Sequence, residues 1–249
     1  MTAPALVALA HGSRDPRSTA TITALTDLVA TMRPDLRVEP AFLELASPSP
    51  TEVIERLVDD GVEEVVVVPL LLTKAFHARV DVPAVVQAAA HRHPGLQVQA
   101  TDVLGLDVGL LDILDRRLRT ALSGARVREL DALVLAAAGS SDGLANAAVA
   151  RLARAWGARH HLPASAAFAS TTPPATGEAV RAFRRDGRRH IAVGSLFLAP
   201  GFLPSRAAEL AIEAGAVAVA APLGADPEVA RTVLARYAVG AVDLVPIPA

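Results

Sequence analysis

The sequence predicts an α/β protein of two similar lobes, each a parallel β-sheet flanked by helices, with the lobes related by internal duplication. Short apolar runs rich in Val and Leu alternate with longer amphipathic stretches, which is typical of βα units in a parallel sheet. The same order of runs repeats in the second half of the 249 residues. Because 52% of the chain is hydrophobic and only 3% is aromatic, its cores must be built from Ala, Val and Leu.

Four pairs of a strand and a helix are predicted in the first half. Ser49 and Pro50 show how a helix begins, because Ser can cap it while Pro occupies the first turn, where a missing N–H does no harm. Ser13 is likewise expected to cap the helix that begins near Ser18, or to bind an anion. The predicted strands are 5–10, 38–43, 64–71 and 98–103, and the predicted helices are 18–32, 50–60, 82–92 and 108–122.

Four more pairs are predicted in the second half, in the same order. Trp156 is expected in a core, whereas His160 and His161 are expected in a linker with surface roles. The predicted strands are 133–137, 164–168, 191–198 and 217–221, and the predicted helices are 144–156, 177–185, 204–213 and 227–237.

The two halves keep a common register, which indicates an internal duplication. Identical residues recur with an offset of 127 near the first strand, 126 at the next three places and 119 near the end. These positions, given as pairs, are 12 and 139, 42 and 168, 61 and 187, 76 and 202, and 105 and 224. With the seam at 123–129, the sequence predicts two domains, 1–124 and 125–249.

Composition excludes several classes of function. Lys+Arg 24 against Asp+Glu 26 makes a formal charge of −2, which argues against nucleic-acid binding. The absence of Cys excludes disulfides and thiolate metal sites. No apolar run approaches the ~20 residues of a bilayer-spanning helix, and 1–10 lacks the basic start of a secretory signal. We therefore expect a cytoplasmic protein that binds neither nucleic acid nor membrane.

Three side chains that could hold a metal follow predicted strands of the first half. His11 comes directly after the first strand, Glu44 after the second and His77 after the third. Because ligands bind at the carboxyl ends of parallel strands, where loops converge, these side chains are expected to share one site. Two imidazoles and a carboxylate suit a divalent metal with open coordination positions.

The second half provides an internal control for this trio. None of the three residues recurs there, although the scaffold pattern does, so a role in function is favoured over a role in folding. The residues at the corresponding places are Ala138, Ser170 and Leu203.

The motif Leu9-Ala10-His11-Gly12-Ser13-Arg14-Asp15, with Pro69-Leu70-Leu71-Leu72 leading to His77, resembles the sirohydrochlorin chelatases of the CbiX type. The second half resembles the degenerate copy in long forms of that family. The resemblance implies a catalytic lobe over 1–124 and a degenerate lobe over 125–249 that closes the cleft. It also implies insertion of Co²⁺ or Fe²⁺ into sirohydrochlorin without ATP, toward cobalamin or sirohaem.

The resemblance further implies roles for individual residues. His11 and His77 match the metal-handling pair and Glu44 the acid that assists them, so all three are expected to be catalytic and to bind metal. Residues expected to contact the eight carboxylates of the tetrapyrrole are Ser13, Arg14, Arg17, Lys74 and Arg79. No organic cofactor is expected, Ni²⁺ is also compatible with the ligands, and a monomer is sufficient to enclose one cleft.

Two other classes of protein remain as alternatives. One is a non-catalytic carrier that holds Co²⁺ or Ni²⁺ through the same three residues, and this carrier would ignore sirohydrochlorin. The other is a phosphoryl-transfer enzyme with His11 as nucleophile beside Arg14. Such enzymes usually have Arg directly before that His, where this chain has Ala10.

Overall fold

A computed structural model describes residues 3–74 and 79–244. Every predicted strand and helix is present, with ends that differ by a few residues. The strands are β1 (Ala5–Ala10), β2 (Val38–Phe42), β3 (Glu64–Pro69), β4 (Gln97–Ala100), β5 (Ala132–Ala137), β6 (Ala164–Phe168), β7 (Ile191–Ser195) and β8 (Ala218–Val219). The helices are α1 (Pro16–Met32), α2 (Pro50–Asp59), α3 (Asp81–Arg92), α4 (Leu110–Ala125), α5 (Gly143–His160), α6 (Thr176–Arg185), α7 (Phe202–Glu213) and α8 (Pro227–Asp243).

Local capping chemistry explains where the helices begin. Ser49 and Glu52 form a reciprocal capping box at α2, as the Ser-Pro pair predicted. The expectation that Ser13 caps α1 is wrong. The helix begins two residues before Ser18 because Asp15 is the cap, accepting a hydrogen bond from the Arg17 backbone N–H, and Pro16 fits the first turn.

The strands form two parallel sheets of four with the same topology. The strand orders are β2-β1-β3-β4 and β6-β5-β7-β8. Register is also shared, since Leu6 lies opposite Val38 in one sheet and Leu133 opposite Ala164 in the other. Both pairs agree with the offsets found in the sequence, so the two-lobed fold with its internal duplication is confirmed.

Two compact units make up the described chain, and their limits differ from the predicted domains 1–124 and 125–249. One unit comprises Met1–Gly105 with Ala225–Ala249, and the other comprises Leu106–Gly224. The difference arises because α4 packs on β7 and β8, whereas α8 packs on α1 and β3. The two boundaries between the units directly follow the equivalent pairs Leu104-Gly105 and Leu223-Gly224.

Two arginines at equivalent positions hydrogen-bond these two helices to other parts of their own units. The Arg117 side chain on α4 donates to the carbonyl oxygen of Leu223 at 2.6 Å. The Arg236 side chain on α8, 119 residues later in the sequence, donates to the carbonyl oxygen of Leu104 at 3.0 Å. The Tyr237 hydroxyl adds a 2.7 Å hydrogen bond to the Pro4 carbonyl. The last helix of each repeat is therefore bound by specific hydrogen bonds as well as by packing.

A buried carboxylate joins α4 to α5. Asp115 is 3% exposed, accepts a hydrogen bond from Trp156 Nε1 at 2.8 Å and forms an ion pair with Arg159 Nε at 3.3 Å. His160 Nε2 lies 2.7 Å from the same carboxylate. The expectation that His160 lies in a linker is therefore wrong, because α5 extends to it and places its ring against Asp115. The residue is exposed, as expected. Trp156 is fully buried, as expected.

Replacing Asp115 with Ala should lower the free energy of unfolding by about 3 kcal/mol, because the buried Trp156 N–H would lose its acceptor. Trp156 is the single tryptophan, so its fluorescence during urea unfolding measures the loss. Asp112→Ala is the matched control, since Asp112 pairs with the same Arg159 at an exposed position and should cost less than about 1 kcal/mol. Equal losses for the two variants would contradict the assignment.

No helix within the described residues is long and apolar enough to cross a membrane.

Candidate active site

The loops after β1 and β2 bring an imidazole and a carboxylate together. β1 and β2 pair up to Ala10 and Phe42, and backbone hydrogen bonds extend the pairing into the loops, from Leu43 N to Ala10 O and from Glu44 N to His11 O. The His11 Nε2 atom lies 3.1 Å from Glu44 Oε1. The two side chains are 39% and 54% exposed, so the pair is accessible from solvent.

Gly12 permits this close approach of the two loops. Its φ is +98°, a conformation that side chains rarely adopt. A Cβ atom built on it would lie 1.7 Å from the Glu44 carbonyl oxygen. The Glu44 backbone could not occupy its position beside any other residue type, so Gly12 is a requirement of the site's geometry.

His77, the third member of the predicted trio, lies outside the described residues. β3 pairs with β1 on the side opposite β2, and Leu70 N donates to Leu9 O just beyond the strand. The chain leading toward His77 therefore starts at the same edge of the sheet as His11. Within 3–74 and 79–244, no cluster of three or more His, Asp or Glu could hold a metal ion.

The residues near His11 that were expected to contact substrate differ in whether their side chains already bind other groups of the chain. Arg14 is exposed, and the Ser13 hydroxyl accepts a 3.1 Å hydrogen bond from Asp15 N. Arg17 contacts both Asp15 oxygens, at 3.0 and 2.6 Å. The side-chain hydrogen bond from Arg17 is the main cause that lowers the pKa of Asp15. While this pair persists, only the guanidinium N–H groups that Asp15 does not use can bind a second carboxylate.

Lys74, the single lysine, is also paired. Its Nζ atom lies 2.6 Å from Asp102 Oδ2, and this hydrogen bond is the main cause that lowers the pKa of Asp102. The lysine is 62% exposed, so water screens the pair and a stronger anionic ligand can compete for it. Arg79 is exposed, two residues before α3 begins.

The second unit repeats the loop geometry without the reactive side chains. Gly139 has a φ of +90°, and a Cβ on it would lie 2.1 Å from the Ser170 carbonyl oxygen. Ser170 donates its hydroxyl to Ala138 O at 2.9 Å. The Asn146 amide also accepts from Ser140 N and donates to Ser140 O. The second unit therefore keeps the backbone geometry of the site, and its polar side chains hydrogen-bond to neighbouring backbone groups.

A single protein-family model matches both halves of the chain. The CbiX family model matches residues 5–121 and again 132–239. A sirohydrochlorin cobaltochelatase of Priestia megaterium is 27% identical over 206 residues, which are 80% of this chain and 66% of that protein. A sirohydrochlorin ferrochelatase of the same organism is 35% identical over 104 residues, which are 42% of this chain and 38% of that protein. The chain thus spans less than two thirds of either relative.

Solved structures show the same fold. SirB from Bacillus subtilis with Fe³⁺ has a TM-score of 0.77 at 23% identity, over 97% of this chain and 96% of that one. The sirohydrochlorin chelatase SirB from Bacillus subtilis subspecies spizizenii, in complex with cobalt, has a TM-score of 0.79 at 21% identity, over 97% of both chains. At these identities the likeness establishes the architecture, and it agrees with the two parallel sheets described above.

Proposed function

The chain belongs to the CbiX family, and on this premise we propose that it inserts a divalent metal ion into sirohydrochlorin without ATP. The observation that carries the proposal is the contact between His11 and Glu44 at the carboxyl ends of β1 and β2. Relatives of this chain are named for cobalt and for iron insertion. Co²⁺ or Fe²⁺ is therefore the proposed metal substrate, and Ni²⁺ is compatible with the same ligands.

His11 is proposed to bind the incoming metal ion and to accept a proton. Insertion requires two pyrrole N–H protons to leave the macrocycle while the hydrated metal ion loses water. A neutral imidazole can perform either step near neutral pH. Glu44, 3.1 Å from the ring, orients the imidazole and stabilises the imidazolium that proton transfer creates. His77 is proposed, on the basis of sequence alone, as the second residue that binds the metal ion and accepts a proton.

The basic side chains around this edge are proposed to bind the substrate's carboxylates. Arg14 is exposed, whereas Arg17 and Lys74 hold Asp15 and Asp102. A ligand with several carboxylates can compete for both cations, because the existing pairs are exposed and weak. Ser13 and Arg79 complete the proposed set.

The chemistry is proposed to reside in residues 1–124, with 125–249 as a degenerate copy. Ala138 and Ser170 replace His11 and Glu44 in the second unit, which has neither an imidazole nor a carboxylate there to bind metal or accept a proton. Cytoplasmic location, a sufficient monomer and the lack of an organic cofactor remain predictions.

Anaerobic absorbance spectroscopy of sirohydrochlorin tests the function. The purified protein should bind the tetrapyrrole without metal, and adding Co²⁺ or Fe²⁺ should then change the spectrum faster than without protein. The faster metal identifies the preferred substrate. A carrier would bind metal but leave the spectrum of sirohydrochlorin unchanged, and hydrolysis of a generic phosphate ester would support the phosphoryl-transfer alternative.

A further inference from the structure

Two equivalent segments, one in each unit, connect the end of a helix to the start of a strand. Their backbones have the same conformation. We call residues 55–64 the acidic segment and residues 181–190 the basic segment. In both, the helix ends in a turn with a glycine at positive φ, +82° at Gly61 and +87° at Gly187. Three backbone hydrogen bonds recur at an offset of 126, among them Val62 N to Leu57 O and Arg188 N to Phe183 O.

The charges of the two segments are opposite. The acidic segment carries a net charge of −4 and the basic segment a net charge of +4, with His190 neutral. The charged residues are Glu55, Arg56, Asp59, Asp60, Glu63 and Glu64 in the former, and Arg181, Arg184, Arg185, Asp186, Arg188 and Arg189 in the latter.

This inversion accounts for the whole charge difference between the two halves of the chain. Residues 1–124 carry −5 and residues 125–249 carry +3. Without the two segments each half carries −1. The rest of the duplicated scaffold therefore has balanced charge, and the asymmetry is concentrated at two sites that share one backbone geometry.

The basic segment lacks the ion pair that its acidic counterpart forms with the preceding strand. In the acidic segment Arg56 pairs with Glu39, at 2.9 Å. Ala182 and Ser165 occupy the equivalent positions, so the pair is absent. A groove of about 840 Å³ lies beside them, lined by Arg181, Arg184 and Arg185 and also by Glu178 and Glu213. Across the part of the chain that the structure describes, none of the five arginines forms an ion pair with a carboxylate.

Asp131 fixes the shape of the basic segment. Its carboxylate accepts backbone hydrogen bonds from Arg189 N at 2.6 Å and His190 N at 3.0 Å. Burial raises the pKa of Asp131, but the two backbone hydrogen bonds and the nearby charge of Arg188 lower it by more, so the net shift is downward. The Asp131 carboxylate binds backbone rather than an arginine side chain, and all the arginines of the segment except the half-buried Arg184 are exposed.

Part of the acidic segment is also accessible for binding another molecule. Asp59 and Glu63 are exposed, and neither forms an ion pair within the described residues. The segment precedes β3 and therefore lies at the opposite edge of its sheet from His11. Binding there would leave the proposed active site open.

We propose that the basic segment of one molecule binds the acidic segment of a second copy of this chain. Opposite net charges on two largely exposed segments, each spanning a helix end and the turn after it, give an electrostatic contact that steers association. Such a contact should be weak and salt-dependent, because exposed charges are screened over a Debye length of about 6 Å at ~300 mM salt and about 20 Å at ~20 mM.

Sedimentation velocity of the full chain tests the proposal. At ~20 mM salt the sedimentation coefficient should rise with protein concentration, and at ~300 mM salt it should stay at the monomer value. Arg185→Glu with Arg188→Glu brings the basic segment to a net charge of zero and should abolish the rise. Asp59→Arg with Glu63→Arg does the same to the acidic segment, with the same expected result.

Mixing the two double variants is the decisive measurement. One retains the acidic segment and the other retains the basic segment, so each should be monomeric alone while the mixture forms a 1:1 complex. Arg151→Glu with Arg154→Glu is the matched control, because it makes the same charge change at exposed positions of α5 and should still associate. All variants should retain the metal-insertion rate of the parent.

A parent that stays monomeric at ~20 mM salt would overturn the proposal. So would association that survives in both double variants, or a mixture that remains monomeric. If the parent is monomeric but binds heparin through Arg185 and Arg188, the basic segment serves a different polyanion and the self-association is excluded. Failure of metal insertion in the parent would bear only on the proposed function, since the sedimentation assay contains no substrate.

Discussion

His11→Ala should lower the initial rate of metal insertion into sirohydrochlorin at least about a hundredfold, the range expected for loss of a general base that also binds metal. The melting temperature should change little, because the side chain is 39% exposed and its contact with Glu44 is at the surface. Stopped-flow absorbance under anaerobic conditions measures the rate, and calorimetry measures the stability.

His91→Ala is the control for this variant, since His91 is an exposed histidine at the end of α3. Its insertion rate should equal that of the parent. A His11→Ala protein that is folded and inserts metal at the parent rate would remove His11 from the mechanism. A rate loss accompanied by an equal loss in His91→Ala would show that the assay responds to something other than the site.

Gly12→Ala should lower the free energy of unfolding by about 4 kcal/mol or more, and it should also abolish metal insertion. The added Cβ would lie 1.7 Å from the Glu44 carbonyl oxygen, so the backbone that positions Glu44 has to move. The positive φ of +98° adds strain for any side chain. Urea unfolding monitored by circular dichroism measures the loss of stability.

Gly61→Ala separates these two causes. Gly61 has a similar φ of +82°, but a Cβ there would meet nothing within 4 Å. This variant should lose only about 1 kcal/mol, from backbone conformation alone, and should keep its insertion rate. Similar losses in Gly12→Ala and Gly61→Ala would show that the close approach to Glu44 does not matter.

Local patterns predicted the strands, the helices and the duplication into two parallel sheets well. The contact of His11 with Glu44 was also predictable, because both residues follow neighbouring parallel strands whose carboxyl ends share an edge. Strand ends were less predictable. The apolar run of β3 continues to Leu72, but pairing depends on where the neighbouring strand stops, and the last pair of β3 with β1 joins Pro69 to Leu9.

Contacts between distant parts of the chain were not predictable from local patterns. An amphipathic helix must bury one face, but its pattern does not say which sheet it covers, so the packing of α4 on β7 and of α8 on β3 was missed. Asp115 and His160 lie 45 residues apart in sequence, and nothing in either neighbourhood indicates the other. Likewise, the pairing of Lys74 with Asp102 depends on tertiary structure.

The insertion rates of Glu44→Gln and Ser170→Ala, measured side by side with Co²⁺ and with Fe²⁺, test the central claim most directly. The two residues occupy equivalent places in the duplicated loops, 126 positions apart, and only Glu44 faces an imidazole. Glu44→Gln should slow insertion at least about tenfold, because the neutral amide no longer stabilises the imidazolium, while Ser170→Ala stays within about twofold of the parent. Equal rates for the two variants, or a loss confined to Ser170→Ala, would contradict the assignment of the chemistry to the first copy.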